Sequence, residues 1–270
     1  MIKNKTRIEE DRVIKKKNKD LKELYDYFEI VNFDNYIKII DEKENYYETR
    51  YIENKKYHEI TPGLELIKTL SILHYKTLHY KDISKNKYKT VFDKLNNHLN
   101  FLEEYYLSIV EQIEEEEFMS PSHYLFIRNY SVIDSSIKYA KKELKKWFKL
   151  VENKTQERVC VIHNNIKTEH FIKGDKNYLI SFDNYMVDTP ILDLYKFYKT
   201  EGYKLNYNLL FKKYNENLEL LKEEKLLHNI LISIPPKIEK VDDELNNTIN
   251  IKNTLNYIYK TLSVISENNV

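Results

Sequence analysis

Glycine is scarce in this chain: three in 270 residues, at Gly63, Gly174 and Gly202. None lies in the first 60, so no glycine-lined loop that lets backbone approach a phosphate closely is expected there. A single cysteine, Cys160, excludes an internal disulfide and a cysteine-rich zinc site. It sits in the apolar run 159–162 and reads as a buried thiol. No apolar run approaches the ~18 residues that span a bilayer. The first seven residues are polar and lack the apolar stretch of a signal peptide. The expectation is a protein that is cytoplasmic at synthesis and has no membrane partner. Charge of one sign is also missing: 44 Lys and Arg against 43 Asp and Glu leave +1. That gives no global attraction for nucleic acid or an anionic surface. The 24 tyrosines sit among many Lys, Asn and Ile, and carry no functional reading beyond compositional bias.

What is present organises around residues 159–194. Val159-Cys160-Val161-Ile162 is a short apolar strand that breaks into a polar loop at His163. Phe171-Ile172 and Tyr178-Leu179-Ile180 flank Gly174-Asp175, the pattern of a β-hairpin. Asp183 follows the second strand, and Pro190 opens a helix that carries Asp193.

Helices fill much of the rest. Leu64, Ile67, Leu70, Leu73 and Leu78 predict one to about Tyr80. Phe92, Leu95, Leu99, Leu102, Tyr106, Ile109 and Ile113 alternate spacings of three and four, the seam of a long helix. Ser120-Pro121 is a cap and first-turn pair for the next, which runs to about Val151. Together they form an antiparallel hairpin over 92–151. One helix is expected over 206–227 and another over 245–264, separated by Pro235-Pro236, with 268–269 fraying.

The order strand, polar loop, hairpin, acidic loop and helix resembles the catalytic segment of the aminoglycoside phosphotransferase and choline kinase families. Their pattern is His-Gly-Asp-x-x-x-x-Asn, two strands, Asp-Phe-Asp/Glu and a later Asp-Leu. Here those positions read His163-Asn164-Asn165, His170, Ser181-Phe182-Asp183 and Asp193-Leu194. Leu73-His74-x-x-Thr77 resembles a further motif of these kinases, with His74 itself read as a packed helix-end histidine. The hairpin 92–151 and the stretch 231–238 resemble the bacterial spore-coat kinase-like group.

The resemblance implies an α+β, protein kinase-like two-lobe fold. Residues 1–54 would be a reduced N-terminal β lobe and 55–270 a large, mainly helical C-terminal lobe. Arg12-Val13-Ile14-Lys15 would be the strand bearing the phosphate-contacting lysine. A helix from Asp20 to Phe28 would follow, with Glu23 as the acidic partner of Lys15. Strands over 36–40 and 46–52 come next, and Glu53 and Asn54 begin the hinge. Read without the resemblance, Lys15, Lys16 and Lys17 are a solvated charge run.

The departures from the pattern decide the functional expectation. Phosphoryl transfer in such enzymes is mostly positioning and charge neutralisation. Asn165 stands where the catalytic carboxylate would be, and an amide is no base near neutral pH. His170 and Ser181 stand at the magnesium positions, where a hard cation wants oxygen ligands. Asp183 is the one carboxylate left, two residues on and able to share a face with Ser181 in extended backbone. His163 is expected to brace the loop from inside.

The leading expectation is a catalytically inactive kinase-like protein, a pseudokinase, acting as a binding or scaffold module without ATP or magnesium. An active small-molecule phosphotransferase using ATP, magnesium and Asp183 is the alternative. A structural component of the spore-coat type is the third reading. A partner protein or a second copy would be sought on the hairpin 92–151. Its acidic tip, Glu114 to Glu117, and its basic base, Lys141 to Lys146, lie roughly 30 Å apart at 1.5 Å per residue. Lys138, Lys141, Lys142, Lys145 and Lys149 share one helix face, read as solvated rather than as a nucleic-acid interface.

Overall fold

A computed structural model describes residues 6–9, 11–55 and 62–268. In chain order the elements begin with β1 (Thr6–Glu9), β2 (Arg12–Lys16), α1 (Lys22–Ile30), β3 (Ile39–Glu42) and β4 (Tyr46–Arg50). Next come α2 (Pro62–Lys76), β5 (His79–Asp82), α3 (Lys87–Glu114), α4 (Pro121–Val151) and β6 (Gln156–Ile162). The hairpin β7 (Phe171–Lys173) and β8 (Asn177–Leu179) precedes β9 (Met186–Asp188) and α5 (Ile191–Thr200). Three helices finish the chain: α6 (Tyr207–Asn215), α7 (Lys222–Ser233) and α8 (Glu244–Asn268). The class is mixed α and β, with a small antiparallel sheet first and helices dominating afterwards.

Compactness divides the chain into two units. One unit holds Met1–Lys81 with Arg158–Glu219, the other Asp82–Glu157 with Leu220–Val270.

In the first unit, β1, β2, β4 and β3 form an antiparallel sheet in that order. Lys15 lies opposite Tyr47 in the β2–β4 register, so both side chains share one face. α1 lies among aromatics: Phe28 meets Phe33 at 4.9 Å and Phe182 at 5.3 Å between ring centroids. Leu24 and Phe28, four residues apart, are both buried, which is why this short helix holds. α1 begins two residues later than the expected start at Asp20. The buried Leu21 takes the cap position, and the Asp20 carboxylate accepts the Lys22 amide at 2.9 Å.

The strand expected over 36–40 lies instead at Ile39–Glu42, with a register shift between Ile39 and Asp41. Tyr36 instead bridges Leu179. α2 ends at Lys76, short of Tyr80. Thr77 donates its hydroxyl to the Leu73 carbonyl and accepts the Val161 amide, which turns the chain into β5. The β7–β8 turn is where glycine is required: a Cβ on Gly174 would come within 2.4 Å of Ile52. Asn54, at the expected hinge, accepts the Lys173 amide at 3.1 Å.

The second unit is helical. α3 and α4 form the expected hairpin, and Ser120 caps α4 by accepting the His123 amide at 3.3 Å. α4 buries Phe126, Ile133, Ile137, Ala140, Leu144 and Trp147, and it packs on α7 and α8 as well as α3. The orphan carbonyls at the end of α7 find side chains: Ser136 donates to Ser233 O and Tyr257 to Ile232 O, both at 2.7 Å. The single helix expected over 206–227 is two helices. Between them Leu218 and Leu220 are buried from non-helical backbone, and Glu224 accepts the Leu221 amide at 2.8 Å to start α7. Asn269 lies outside the described residues.

Candidate functional site

Asp193, on the first turn of α5, is fully buried and anchors the loop after β6. One carboxylate oxygen accepts the Asn164 amide at 2.6 Å; the other accepts the His163 amide at 2.7 Å. That second oxygen also takes Nε2 of the buried His74 at 3.1 Å. A carboxylate only accepts, so His74 carries its proton on Nε2. Its Nδ1 lies 2.7 Å from the Tyr214 hydroxyl. Burial pushes the Asp193 pKa up, but the His74 hydrogen bond, the nearby histidines and the His163 amide outweigh it. The carboxyl is held below the usual range. The two amides it fixes belong to a strained turn, since Asn164 has φ of 64°, a left-handed conformation that asparagine tolerates. Lys196 reaches the Asn164 side-chain oxygen from α5.

His163 lies inside this loop. Its Nε2 donates to the Ile180 carbonyl at 2.7 Å, and its ring sits 4.9 Å from that of Phe182. Burial lowers its pKa, so the ring is neutral, and its buried Nδ1 has no hydrogen-bond partner. His170 turns Nδ1 back to the Asn165 carbonyl at 2.7 Å, and its Nε2 is 3.8 Å from Glu169. His170 is thus tied to its own loop through Nδ1. Asn165 is half-buried beside it.

The lysine of β2 meets the acidic loop. Lys15 Nζ lies 2.8 Å from Ser181 Oγ and 3.2 Å from Asp183 Oδ2. The Lys15 and Asp183 side chains are 20% and 13% exposed. Two expectations are overturned here. Lys15 is not part of a solvated run, because its β-strand position points it at the face that carries Tyr47. Its acidic partner is Asp183 and not Glu23, which α1 leaves exposed to solvent. Lys17, two positions on, pairs with Glu42 at 2.6 Å.

Ser181 has φ of 69°, a left-handed backbone that costs a non-glycine residue about 1–2 kcal/mol. That conformation leads directly into the 3-10 turn carrying Phe182 and Asp183. Tyr47 and Tyr25 wall the pair. Burial first, and the Asp183 charge among the further causes, raises the phenol pKa of both, so neither ionises.

The kinase-like frame implies magnesium, and the donors here do not fit it. Magnesium asks for near-octahedral oxygen ligation. One Asp183 oxygen already holds an ammonium, Ser181 offers a neutral hydroxyl, and His170 is turned to Asn165. Among the described residues no three His, Cys, Asp or Glu side chains gather in a way that could hold a metal ion. Asp183 Oδ1 is buried without a hydrogen-bond partner.

Neither a family model nor a curated protein matches the chain. Solved structures do. An aminoglycoside phosphotransferase from Alicyclobacillus acidocaldarius superposes with a TM-score of 0.70 at 9% identity, over 95% of this chain and 85% of that one. An AMP-bound spectinomycin phosphotransferase gives 0.51 at 13% identity, over 93% and 87%. At such identities the likeness is one of fold, and the chain has the kinase-like fold of these phosphotransferases.

Proposed function

We propose that this protein is a catalytically inactive kinase-like module that works by binding rather than by phosphoryl transfer. The observation that carries the reading is the Lys15 ammonium seated on Ser181 and Asp183. In this fold the lysine strand and the acidic loop face each other across the space where a nucleotide's phosphates and metal would be held. Here the ammonium spans them directly, bonding Ser181 and one oxygen of Asp183. With Asn165 at the position of the catalytic carboxylate, the loop has no base to accept a hydroxyl proton. What remains is a braced scaffold with a lysine-to-aspartate clasp.

A second reading is favoured by Asp183 Oδ1. A buried carboxylate oxygen without a donor is costly, and a cation arriving there would relieve it. On this reading the protein is a small-molecule phosphotransferase with an atypical site, using ATP and magnesium.

Transfer from γ-labelled ATP to a panel of hydroxyl- and amine-bearing acceptors separates the two. The expected result is no labelled product above the no-protein control. Turnover that disappears in Asp183→Ala would establish the second reading instead.

A further inference from the structure

The α3–α4 hairpin carries two patches of opposite charge. At its tip Glu111, Glu114, Glu115 and Glu117 are exposed. The tip's remaining acid, Glu116, is bonded to His123 at 2.7 Å. Toward the base, Lys141 is taken by Glu103 across the hairpin at 2.5 Å and Lys146 by Glu143 at 2.7 Å. The basic cluster expected over 141–146 is therefore partly neutralised. Lys142, Lys145 and Lys149 are left, exposed at spacings of three and four on the side of α4 opposite Leu144 and Trp147. None of these four acids or three lysines has an ion-pair partner among the described residues.

The two patches cannot satisfy each other within one molecule. The tip lies level with the start of α4, about 23 residues from Lys145, or roughly 35 Å at 1.5 Å per residue. Exposed charges are screened over ~8–10 Å at physiological salt. Apolar residues lie beside both patches. Phe118 is 84% exposed and Met119 45% at the tip, and Leu150 is 40% exposed next to Lys149.

We propose that this face pairs with a second copy of itself, antiparallel about a two-fold axis. An isologous contact sets each patch against its counterpart on the other molecule. The glutamates of one tip then lie against Lys142, Lys145 and Lys149 of the other copy, and Phe118 and Met119 reach the neighbourhood of the other Leu150. A face ~35 Å long and two helix diameters of ~10 Å wide covers about 700 Å² per molecule. That is slightly under the ~800 Å² of a standard interface, so the dimer is weak, reversible and sensitive to salt. The inference is independent of whether the catalytic loop is active.

The test is sedimentation equilibrium of the full chain, at protein concentrations up to about 100 μM, in about 50 mM and about 500 mM NaCl. Wild type should dimerise at low salt, with Kd rising about tenfold or more at high salt. Lys142→Glu with Lys145→Glu and Lys149→Glu should be monomeric. So should Glu111→Lys with Glu114→Lys and Glu115→Lys. An equimolar mixture of the two variants should recover a dimer, because each then meets the opposite charge. These positions are exposed on helices, and circular dichroism should show both variants folded. A monomeric wild type at low salt, or a mixture that stays monomeric, overturns the proposal. So do variants that dimerise as wild type does.

Discussion

Replacing Asp193 with alanine is expected to lower the free energy of unfolding by about 3–5 kcal/mol, the range for removing one member of a buried charged network. The side chain is fully buried and accepts three hydrogen bonds. Its loss strands the buried His163 amide and the Nε2 proton of the buried His74, and removes the partner of the half-buried Asn164 amide. Each stranded group costs roughly 1–3 kcal/mol. The left-handed turn at Asn164 also loses the carboxylate that holds it. Single domains are stable by only about 5–15 kcal/mol, so the variant should be partly unfolded at physiological temperature. Asp193→Asn is nearly isosteric but turns an N–H toward donors, and should cost a comparable amount. Urea melts check this: a shift under about 1 kcal/mol in both variants would mean that Asp193 does not anchor the loop.

Mild acid is the second large effect. His228 is buried in α7, and burial lowers its pKa to about 4, partly offset by a hydrogen bond with Asn229. In the unfolded chain a histidine titrates near 6.5. Between these values the unfolded state binds a proton that the folded state refuses, so stability falls as pH falls. The contribution is intact above pH 6.5, declines through the interval and is spent near pH 4. A gap of about 2.5 units at 1.36 kcal/mol each amounts to about 3 kcal/mol. His163, also lowered by burial, acts in the same direction. The unfolding free energy measured from about pH 7 to pH 4.5 should therefore slope downward by up to two protons' worth. His228→Gln should remove about one proton from that slope, whatever it does to absolute stability. An unchanged slope in the variant would show that His228 is protonated in the folded protein.

The parts of the fold that were legible in the sequence are those whose signals are local. Gly174-Asp175 between two apolar runs marks the β7–β8 hairpin, and the structure shows why glycine is needed, with Ile52 packed against it. Ser120-Pro121 and the three-and-four spacing mark α3 and α4, because cap and seam are both short-range. The misplaced ends were set by distant partners. α2 stops where Thr77 meets Val161, 84 residues away, and the apolar pattern runs on past that point. The break between α6 and α7 is hidden because Leu218 and Leu221 continue the helical spacing across it, while Leu218 and Leu220 are buried from non-helical backbone.

The site divides in the same way. His163 and Asp193 are visible as a frame in sequence order. That Asp193 binds the His163 and Asn164 amides and His74 emerges only in three dimensions. Lys15 and Ser181 are 166 residues apart, and nothing near Lys15 distinguishes it from Lys16 and Lys17 except its place in the strand. Glu23 was the nearer acid, but helix phase turns it to solvent. Alternation in β2 carries the signal: Lys15 shares the face of Val13 and pairs across the strands with the buried Tyr47 on that face.

The Lys15 ammonium holds Ser181 and one oxygen of Asp183, and on the proposed reading the donors that remain bind no magnesium. Calorimetric titration of ATP and ADP into the full chain, with magnesium and with chelator, tests it most directly. Affinity for either nucleotide should be the same in both conditions, including no binding in either. Magnesium-dependent binding, tighter by tenfold or about 1.4 kcal/mol and lost in Asp183→Asn, would contradict it.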